Sequence, residues 1–380
     1  MPVSTRGRSR SDEDPEDTPR KRQKVESDDE GALQVLAEPT GIVERCEELW
    51  FEEGNVVVAA RDLAFKVHTG ILGRHSDIFK GFFIPVSLAQ LPKGRDGCHI
   101  LRVDDAGSAL KELFNVIYDG GNSKWFNSSK PPIQYAEFRS VVAVAVKYEV
   151  KEVLTEARSR LSRLLPTENM GDWDANLRPD GEKTSIRMEQ LDRADLPRMV
   201  RVLGMQRELA IALYACCCTR DLSFIADGVR YGDETVRLSD ADMLRFVRGR
   251  TALALESSRI AKTFLQFGRG SLHEPAGCKE CRPAFQYLGI AAVVSGFFCT
   301  PSALGPYGPW LTRMAAQPHS KLCKACDTAV QGVIDQRREQ AWQKLGTIFD
   351  VPNWPPGQPK NNSDIAAPAA PGALAASQTA

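Results

Sequence analysis

Residues 55–83 read NVVVAARDLAFKVHTGILGRHSDIFKGFF, and within this stretch the apolar spacing changes from that of strands to that of a helix. Asn55–Ala60 is rich in β-branched residues, Arg61–Asp62 is turn-like, and Phe65–Val67 continues in an extended pattern. From Ile71 to Phe83 the apolar residues recur three and four positions apart, which is the spacing of a helix face. The stretch therefore predicts two extended segments followed by one helix.

The residues after this stretch continue the mixed pattern to about residue 165. Cys98–Val103 is a further short strand, and Pro166 ends the last helix of the block. Three helices are predicted: one between a cap at Asp104 or Asp105 and Gly120, one over Tyr135–Lys147, and one over Lys151–Leu164. A small sheet with several helices segregated from it is an α+β domain, which we assign to residues 41–165.

Five residues of this block stand at offsets that resemble the signature of the BTB/POZ domain, in the form common among fungal BTB proteins. That signature places an aromatic shortly before a His, followed by Leu, Ser and Phe at helical offsets. Here the positions are Phe65, His68, Leu72, Ser76 and Phe79. The resemblance implies a domain that binds protein partners, including a second copy of itself, and it implies a structural role for these five residues.

The sequence departs from the common BTB pattern in two places. Asn55 stands where many BTB domains carry an Asp that contributes to a charged pocket at their dimer interface, so the usual dimer is in doubt. Residues 83–94, FIPVSLAQLPKG, lack the hydrophobic-x-Glu element of many cullin-binding BTB adaptors. This absence weakens the alternative interpretation, a substrate adaptor of a cullin-type ubiquitin ligase.

The sequence predicts no enzyme. His68 could act as a base for Ser76 or Cys98 in a catalytic interpretation, but it begins an apolar helix in a pattern that the family uses for packing. The chain carries no GxSxG elbow, no phosphate-binding glycine loop, no HExxH and no EF-hand loop. We therefore expect a non-enzymatic interaction or oligomerisation protein.

Composition and charge place tails and a linker around two ordered blocks. The 380 residues include 49 Lys and Arg and 49 Asp and Glu, a balance that argues against a chain built to coat nucleic acid or a membrane. No secretory signal begins the chain, and its apolar runs are too short to span a bilayer. Residues 1–40 and 355–380 are predicted disordered tails, 166–185 a linker, and 186–354 a helical C-terminal domain. Its helical periodicity covers Leu196–Val202, Leu209–Cys218, Met243–Leu255, Ala284–Phe298 and Ala329–Phe349.

A basic cluster in the first tail resembles a nuclear import signal. Its cations are Arg20, Lys21, Arg22 and Lys24, and an extended chain could lay them into the acidic grooves of an import receptor. The alternative is a solvated charge run. The import interpretation predicts a nuclear or nucleocytoplasmic protein, with a transcription-linked role as an extension of it.

Two C-x-x-C pairs in the C-terminal block predict a structural metal site. They are Cys278 with Cys281 and Cys323 with Cys326, and each pair precedes a helical pattern whose N-terminus would favour thiolates. Four thiolates are the ligand set of a closed Zn²⁺ site, although the 41 residues between the pairs exceed the spacing of zinc ribbons. Ordinary thiols and redox chemistry remain alternatives, and His273 and His319 are reserve ligands. The consecutive Cys216–Cys218 point in different directions and are predicted to be buried free thiols.

Overall fold

A four-stranded sheet contains most of the strand residues that the structure describes. The computed structural model describes residues 43–94, 97–176, 185–232, 234–269, 278–294, 296, 300–305, 307, 317, 321–352 and 354. The strands are β1 (Glu44–Trp50), β2 (Val56–Ala59), β3 (Leu63–Val67) and β4 (His99–Arg102), in the order β1-β3-β2-β4. β2 and β3 are antiparallel, whereas β1 pairs with β3 and β4 pairs with β2 in parallel. All three valines of Val56–Val58 are buried, as expected of a central strand covered on both faces.

The helix predicted from Ile71 to Phe83 is two helices, α1 (Thr69–His75) and α2 (Asp77–Phe82). Ser76 separates them in an extended conformation. Its hydroxyl accepts the Phe79 backbone N–H at 3.0 Å and donates to the Tyr148 carbonyl at 2.5 Å. Periodicity alone did not show the break because both short helices bury residues on the same side, whereas the serine acts as a cap whose partner lies far along the chain.

The remaining helices of the first block are α3 (Pro85–Leu88), α4 (Gly107–Asp119), α5 (Tyr135–Lys147) and α6 (Lys151–Leu164). The predicted cap of α4 at Asp104 or Asp105 is wrong, because the helix begins after Ala106. The first N–H of the helix, that of Gly107, donates to the carboxylate of Asp62 in the β2–β3 turn at 2.7 Å. A Cβ on Gly107 would lie 2.5 Å from Leu63, so the contact requires glycine. The end of α4 at Gly120, with φ of 50°, is as predicted.

The chain after α6 is mostly helical, and it contributes short strands that the periodicity did not indicate, one of which pairs with a strand of the first block. β5 (Ile133–Gln134) pairs in parallel with β6 (Ile186–Arg187), and β7 (Val229–Tyr231) forms a hairpin with β8 (Glu234–Val236). Its helices are α7 (Met170–Asn176), α8 (Leu196–Val202), α9 (Leu209–Cys217), α10 (Phe224–Asp227), α11 (Asp240–Arg269), α12 (Arg282–Val294), α13 (Lys324–Gln343) and α14 (Leu345–Phe349). The chain is therefore of mixed α and β structure, consistent with the α+β class.

The predicted linker at 166–185 contains the packed helix α7. Trp173 is 8% exposed and lies edge-on to Tyr214 of α9, with the ring centroids 5.4 Å apart. Asp174 pairs with the buried Arg338 of α13. The composition of residues 166–185, rich in Pro, Gly, Asp and Asn, predicted a linker. The structure places a packed helix there instead, because burial of the Trp173 ring holds the segment against α9.

One hydrophobic core runs through both blocks, from Cys46 to Val351. A buried charge network accompanies it: Asp195 is fully buried and accepts hydrogen bonds from Arg139 at 3.1 Å and from Tyr135 at 3.2 Å. Burial raises the pKa of Asp195 against the opposing effect of Arg139. Arg139 also lies over the ring of Tyr231, 4.3 Å from its centroid. Polar and apolar contacts together join the first block to the second.

Candidate metal centre

The two C-x-x-C pairs lie at the starts of two helices, as predicted. Cys278 and Cys281 precede α12, and the Cys281 N–H donates to the Cys278 carbonyl at 3.2 Å. Cys323 is the N-cap residue of α13, and Cys326 lies in its first turn. The free N–H groups and the dipole of a helix start favour negatively charged sulfur at such positions.

The four sulfur atoms converge on one point of the structure. All four Sγ atoms lie within 4.8 Å of one another, although Cys281 and Cys323 are 42 positions apart in the chain. A tetrahedral Zn²⁺ with Zn–S bonds of about 2.3 Å separates its sulfurs by roughly 3.8 Å. The cluster is therefore compatible with a structural zinc ion.

Helix packing, rather than sequence spacing, brings the pairs together. α12 and α13 both pack on the long helix α11 and enclose a small second core. Phe267 of α11 stacks on Phe285 of α12, with the ring centroids 5.0 Å apart. This second core consists of Ile260, Ala261, Phe264, Phe267, Cys281, Phe285, Leu288, Ala292, Tyr307, Cys326, Val330 and Ile334.

The thiols differ in exposure and in acidity. Cys281 and Cys326 are buried, Cys278 is half-buried and Cys323 is exposed. Hydrogen bonds, first from the Cys326 backbone and then from the neighbouring thiols, lower the pKa of Cys323 to about 7. Burial raises the pKa values of Cys281 and Cys326. The Cys323 N–H also donates to the Cys281 sulfur at 3.2 Å, a bond that strengthens when that sulfur is a thiolate.

This donor set suits a structural site better than a catalytic one. Four protein sulfurs complete a tetrahedral shell and leave no position for water or a substrate, whereas catalytic zinc sites keep one position open. The reserve ligands His273 and His319 lie outside the described residues.

The consecutive cysteines of α9 lie apart from this cluster. Cys216 and Cys217 are fully buried, and Cys218 donates from its thiol to the Pro301 carbonyl at 3.7 Å. Burial raises the pKa of Cys216 to about 12 and that of Cys218 to about 11, so both are protonated thiols at neutral pH. Cys216 and Cys217 are buried free thiols, as predicted, whereas Cys218 is a free thiol that is only half-buried.

The BTB-like signature residues lie together in the main core. Phe65, Leu72 and Phe79 have no exposed surface. Phe65 packs edge-on against Phe114 at 5.2 Å, and Phe79 stacks on Tyr148 at 4.4 Å. These positions are therefore packing residues.

His68 and the nucleophiles considered for it have other partners. Its Nδ1 lies 3.0 Å from the Tyr118 hydroxyl, which also accepts the His68 backbone N–H at 2.9 Å. The Ser76 hydroxyl is bonded to the Tyr148 carbonyl, and the Cys98 thiol donates to the Gly54 carbonyl at 3.5 Å. Asn55 stands where the common BTB pattern has Asp, and it exchanges two hydrogen bonds with Thr69. The N-cap residue of α1, His68, makes no side-chain cap bond, so Asn55 caps the helix in its place.

The import cluster Arg20, Lys21, Arg22 and Lys24 lies outside the described residues, as do both predicted tails, residues 1–40 and 355–380. Across the described helices, none is both long enough and apolar enough to cross a membrane. The Arg139–Asp195 network was missed at the sequence level because its members are 56 positions apart and share no local pattern.

The chain was compared with protein-family models, curated proteins and solved structures. No family model, no curated protein and no solved structure matches it.

Proposed function

We propose that the chain is a non-enzymatic protein–protein interaction protein whose BTB-like block, residues 41–165, binds partners that include a second copy of itself. The observation that carries the proposal is the joint burial of Phe65, Leu72 and Phe79 in one core, with Ser76 as the cap between α1 and α2. These are the structural roles that the resemblance implies. The engagement of His68 by Tyr118 and of Ser76 by Tyr148 further supports a non-catalytic role.

Self-association is tested by sedimentation velocity on the full chain over a wide concentration range. The proposal expects a reversible increase from the monomer mass of 41.9 kDa to that of a dimer. Asn55→Asp restores the acidic residue of the common BTB pattern while preserving an acceptor for the Thr69 N–H. A mass of one chain at every concentration, for both proteins, would contradict self-association.

The alternative function is a cullin-binding adaptor, and one surface feature favours it. Ile84 and Val86, directly after the signature helices, are 47% and 71% exposed, so an apolar surface stands where adaptors carry their hydrophobic-x-Glu element. Calorimetry with a purified cullin tests this function. Binding that Val86→Asp abolishes would favour the adaptor, with Val146→Asp on α5 as an exposed control. The absence of any heat of binding would argue against the adaptor function and leave the interaction protein as the proposed function.

We also propose that Cys278, Cys281, Cys323 and Cys326 hold one structural Zn²⁺. The support is the convergence of the four sulfurs within 4.8 Å at two helix starts. The purified full chain should contain about one zinc per molecule by elemental analysis. Cys→Ser at any of the four positions should lower that content, whereas Cys217→Ser, in the buried α9, should not.

We further propose a nuclear location, directed by the basic cluster and linked to transcription. Replacing Lys21, Arg22 and Lys24 by Ala should shift a fluorescent fusion of the chain from nucleus to cytoplasm. The matched control replaces Asp12, Glu13 and Asp14 in the same tail. An unchanged distribution would support the solvated-tail interpretation.

A further inference from the structure

The helix α11 has an outward apolar stripe that nothing in the proposed function uses. Its inner side carries Phe246, Leu253 and Phe264, all buried. On the opposite side Leu244, Val247 and Leu255 are 49%, 52% and 56% exposed, and Leu265 continues the line where α11 meets α12. We call this stripe the α11 outer face: Leu244, Val247, Thr251, Leu255, Ser258, Lys262 and Leu265.

The spacing of the α11 outer face is that of a helix-pairing seam. Successive members are three or four residues apart, which at 3.6 residues per turn keeps them within an arc of about 80° over roughly 30 Å. The two hydroxyl residues are already bonded within the helix: Thr251 donates to the Val247 carbonyl at 3.2 Å and Ser258 to the Ala254 carbonyl at 2.9 Å. They can therefore be covered by a partner without leaving an unpaired hydroxyl donor.

The charges in and beside the seam are mainly positive. Arg248 and Lys262 are exposed, and no ion pair involves either of them among the described residues. Arg259 is paired with Glu256, a residue that is largely buried and also binds Lys344. A partner that covers the seam therefore meets at least two cations for which the described residues provide no ion pair.

These charges distinguish among the molecules that could cover the seam. In parallel pairing of two copies, Lys262, which lies in the seam, would face Lys262, and in antiparallel pairing centred on Leu255, Arg248 would face Lys262. Like charges at such positions disfavour a second copy. Nucleic acid would use the cations but would gain nothing from the exposed leucines and valine. We propose that the α11 outer face docks an acidic amphipathic helix of a partner protein.

The inference is independent of the proposed function, because it concerns the second block and a surface remote in sequence from the BTB-like signature. Its test measures the binding of two labelled helical peptides to the full chain by fluorescence anisotropy. One peptide has Leu at the heptad a and d positions and Glu at e and g, and the other has Lys in place of each Glu. The Glu peptide should bind saturably and the Lys peptide should bind at least about tenfold more weakly.

Substitutions in the chain then locate the binding. Val247→Asp and Leu255→Asp should each weaken binding of the Glu peptide about tenfold or more. Val202→Asp, at an exposed valine of α8, should leave that binding unchanged. Arg248→Glu should weaken binding of the Glu peptide and strengthen binding of the Lys peptide. An unfolded variant would not show this reversal. Circular dichroism confirms that each variant remains folded.

Several results would overturn the proposal. These are no saturable binding of the Glu peptide, equal binding of both peptides, or binding that Leu255→Asp leaves intact. Self-association that Leu255→Asp removes would assign the face to a second copy instead. Binding to anionic lipid vesicles with the same dependence on Val247, Leu255 and Arg248, in place of the peptide, would assign it to a membrane surface.

Discussion

The sheet-containing block and the α11–α13 region achieve stability by different means. The first surrounds Phe79 and Phe114 with fully buried aliphatic and aromatic side chains that belong to the main core. The second has a small separate core in which Cys281 and Cys326 are members and the four sulfurs lie at one end. A core of that size buries too little apolar surface to order two helix starts by itself, so we expect it to depend on a cross-link.

Removing the proposed Zn²⁺ should produce the largest effect, and this effect should be confined to the second region. The thiolates come together only in the folded chain, so the free energy of Zn²⁺ binding is largely folding free energy, on the order of 10 kcal/mol in zinc-finger peptides. A strong chelator should lower the melting temperature of the α11–α13 region. Hydrogen exchange should show loss of protection around Phe264, Phe285 and Val330.

The control for this experiment is the first region, whose exchange at Phe65 and Phe114 should remain unchanged. Loss of protection in both regions together would show that the two cores unfold as one unit and do not differ in what stabilises them. Cys217→Ser should respond to the chelator as the unsubstituted chain does.

Truncating the aromatic core should be the next largest effect and should appear in the first region. Phe79→Ala should destabilise the chain by about 3–5 kcal/mol, because a fully buried ring that stacks on Tyr148 is replaced by a cavity. Leu72→Ala should cost about 2–5 kcal/mol for the same reason. Urea denaturation measures both, and an unchanged midpoint in both variants would show that these positions are not core.

The serine between α1 and α2 should have a smaller effect. Ser76→Ala removes the cap on the Phe79 N–H and leaves the Tyr148 carbonyl without its hydroxyl donor, at a combined cost of about 1–3 kcal/mol. Ser76→Thr, which keeps the hydroxyl, is the matched control. Equal stability of all three proteins in urea would mean that the break between the helices does not depend on this side chain.

The smallest effect is expected at His68. His68→Gln keeps a polar side chain beside the Tyr118 hydroxyl, so stability should change by no more than about 1 kcal/mol. Loss of partner binding in a fully folded His68→Gln chain would be inconsistent with a purely structural role. Thermal denaturation and the sedimentation assay together separate these outcomes.

Local patterns were enough to predict the strands at Val56–Ala59 and Leu63–Val67, helices α4 to α6 and the positions of both C-x-x-C pairs. Each of these depends on residues close together in the chain: β-branched runs, a glycine that accommodates a positive φ, or cysteines three apart. The errors arose where the partner was remote. Asp62 caps α4, Tyr148 holds Ser76, and Tyr214 packs on Trp173 within a stretch whose composition predicted a linker.

The sequence by itself determined the mixed α and β class, the charge balance, and the presence of four cysteines at two helix starts. It could not determine that those cysteines meet, because 42 positions separate Cys281 from Cys323. Only the packing of α12 and α13 on α11 decided that. The same packing left Val247 and Leu255 exposed, although apolar periodicity alone counts them as ordinary helix residues. Periodicity records which residues share a helix face, whereas burial depends on which other helices cover that face, and that is a property of the tertiary structure.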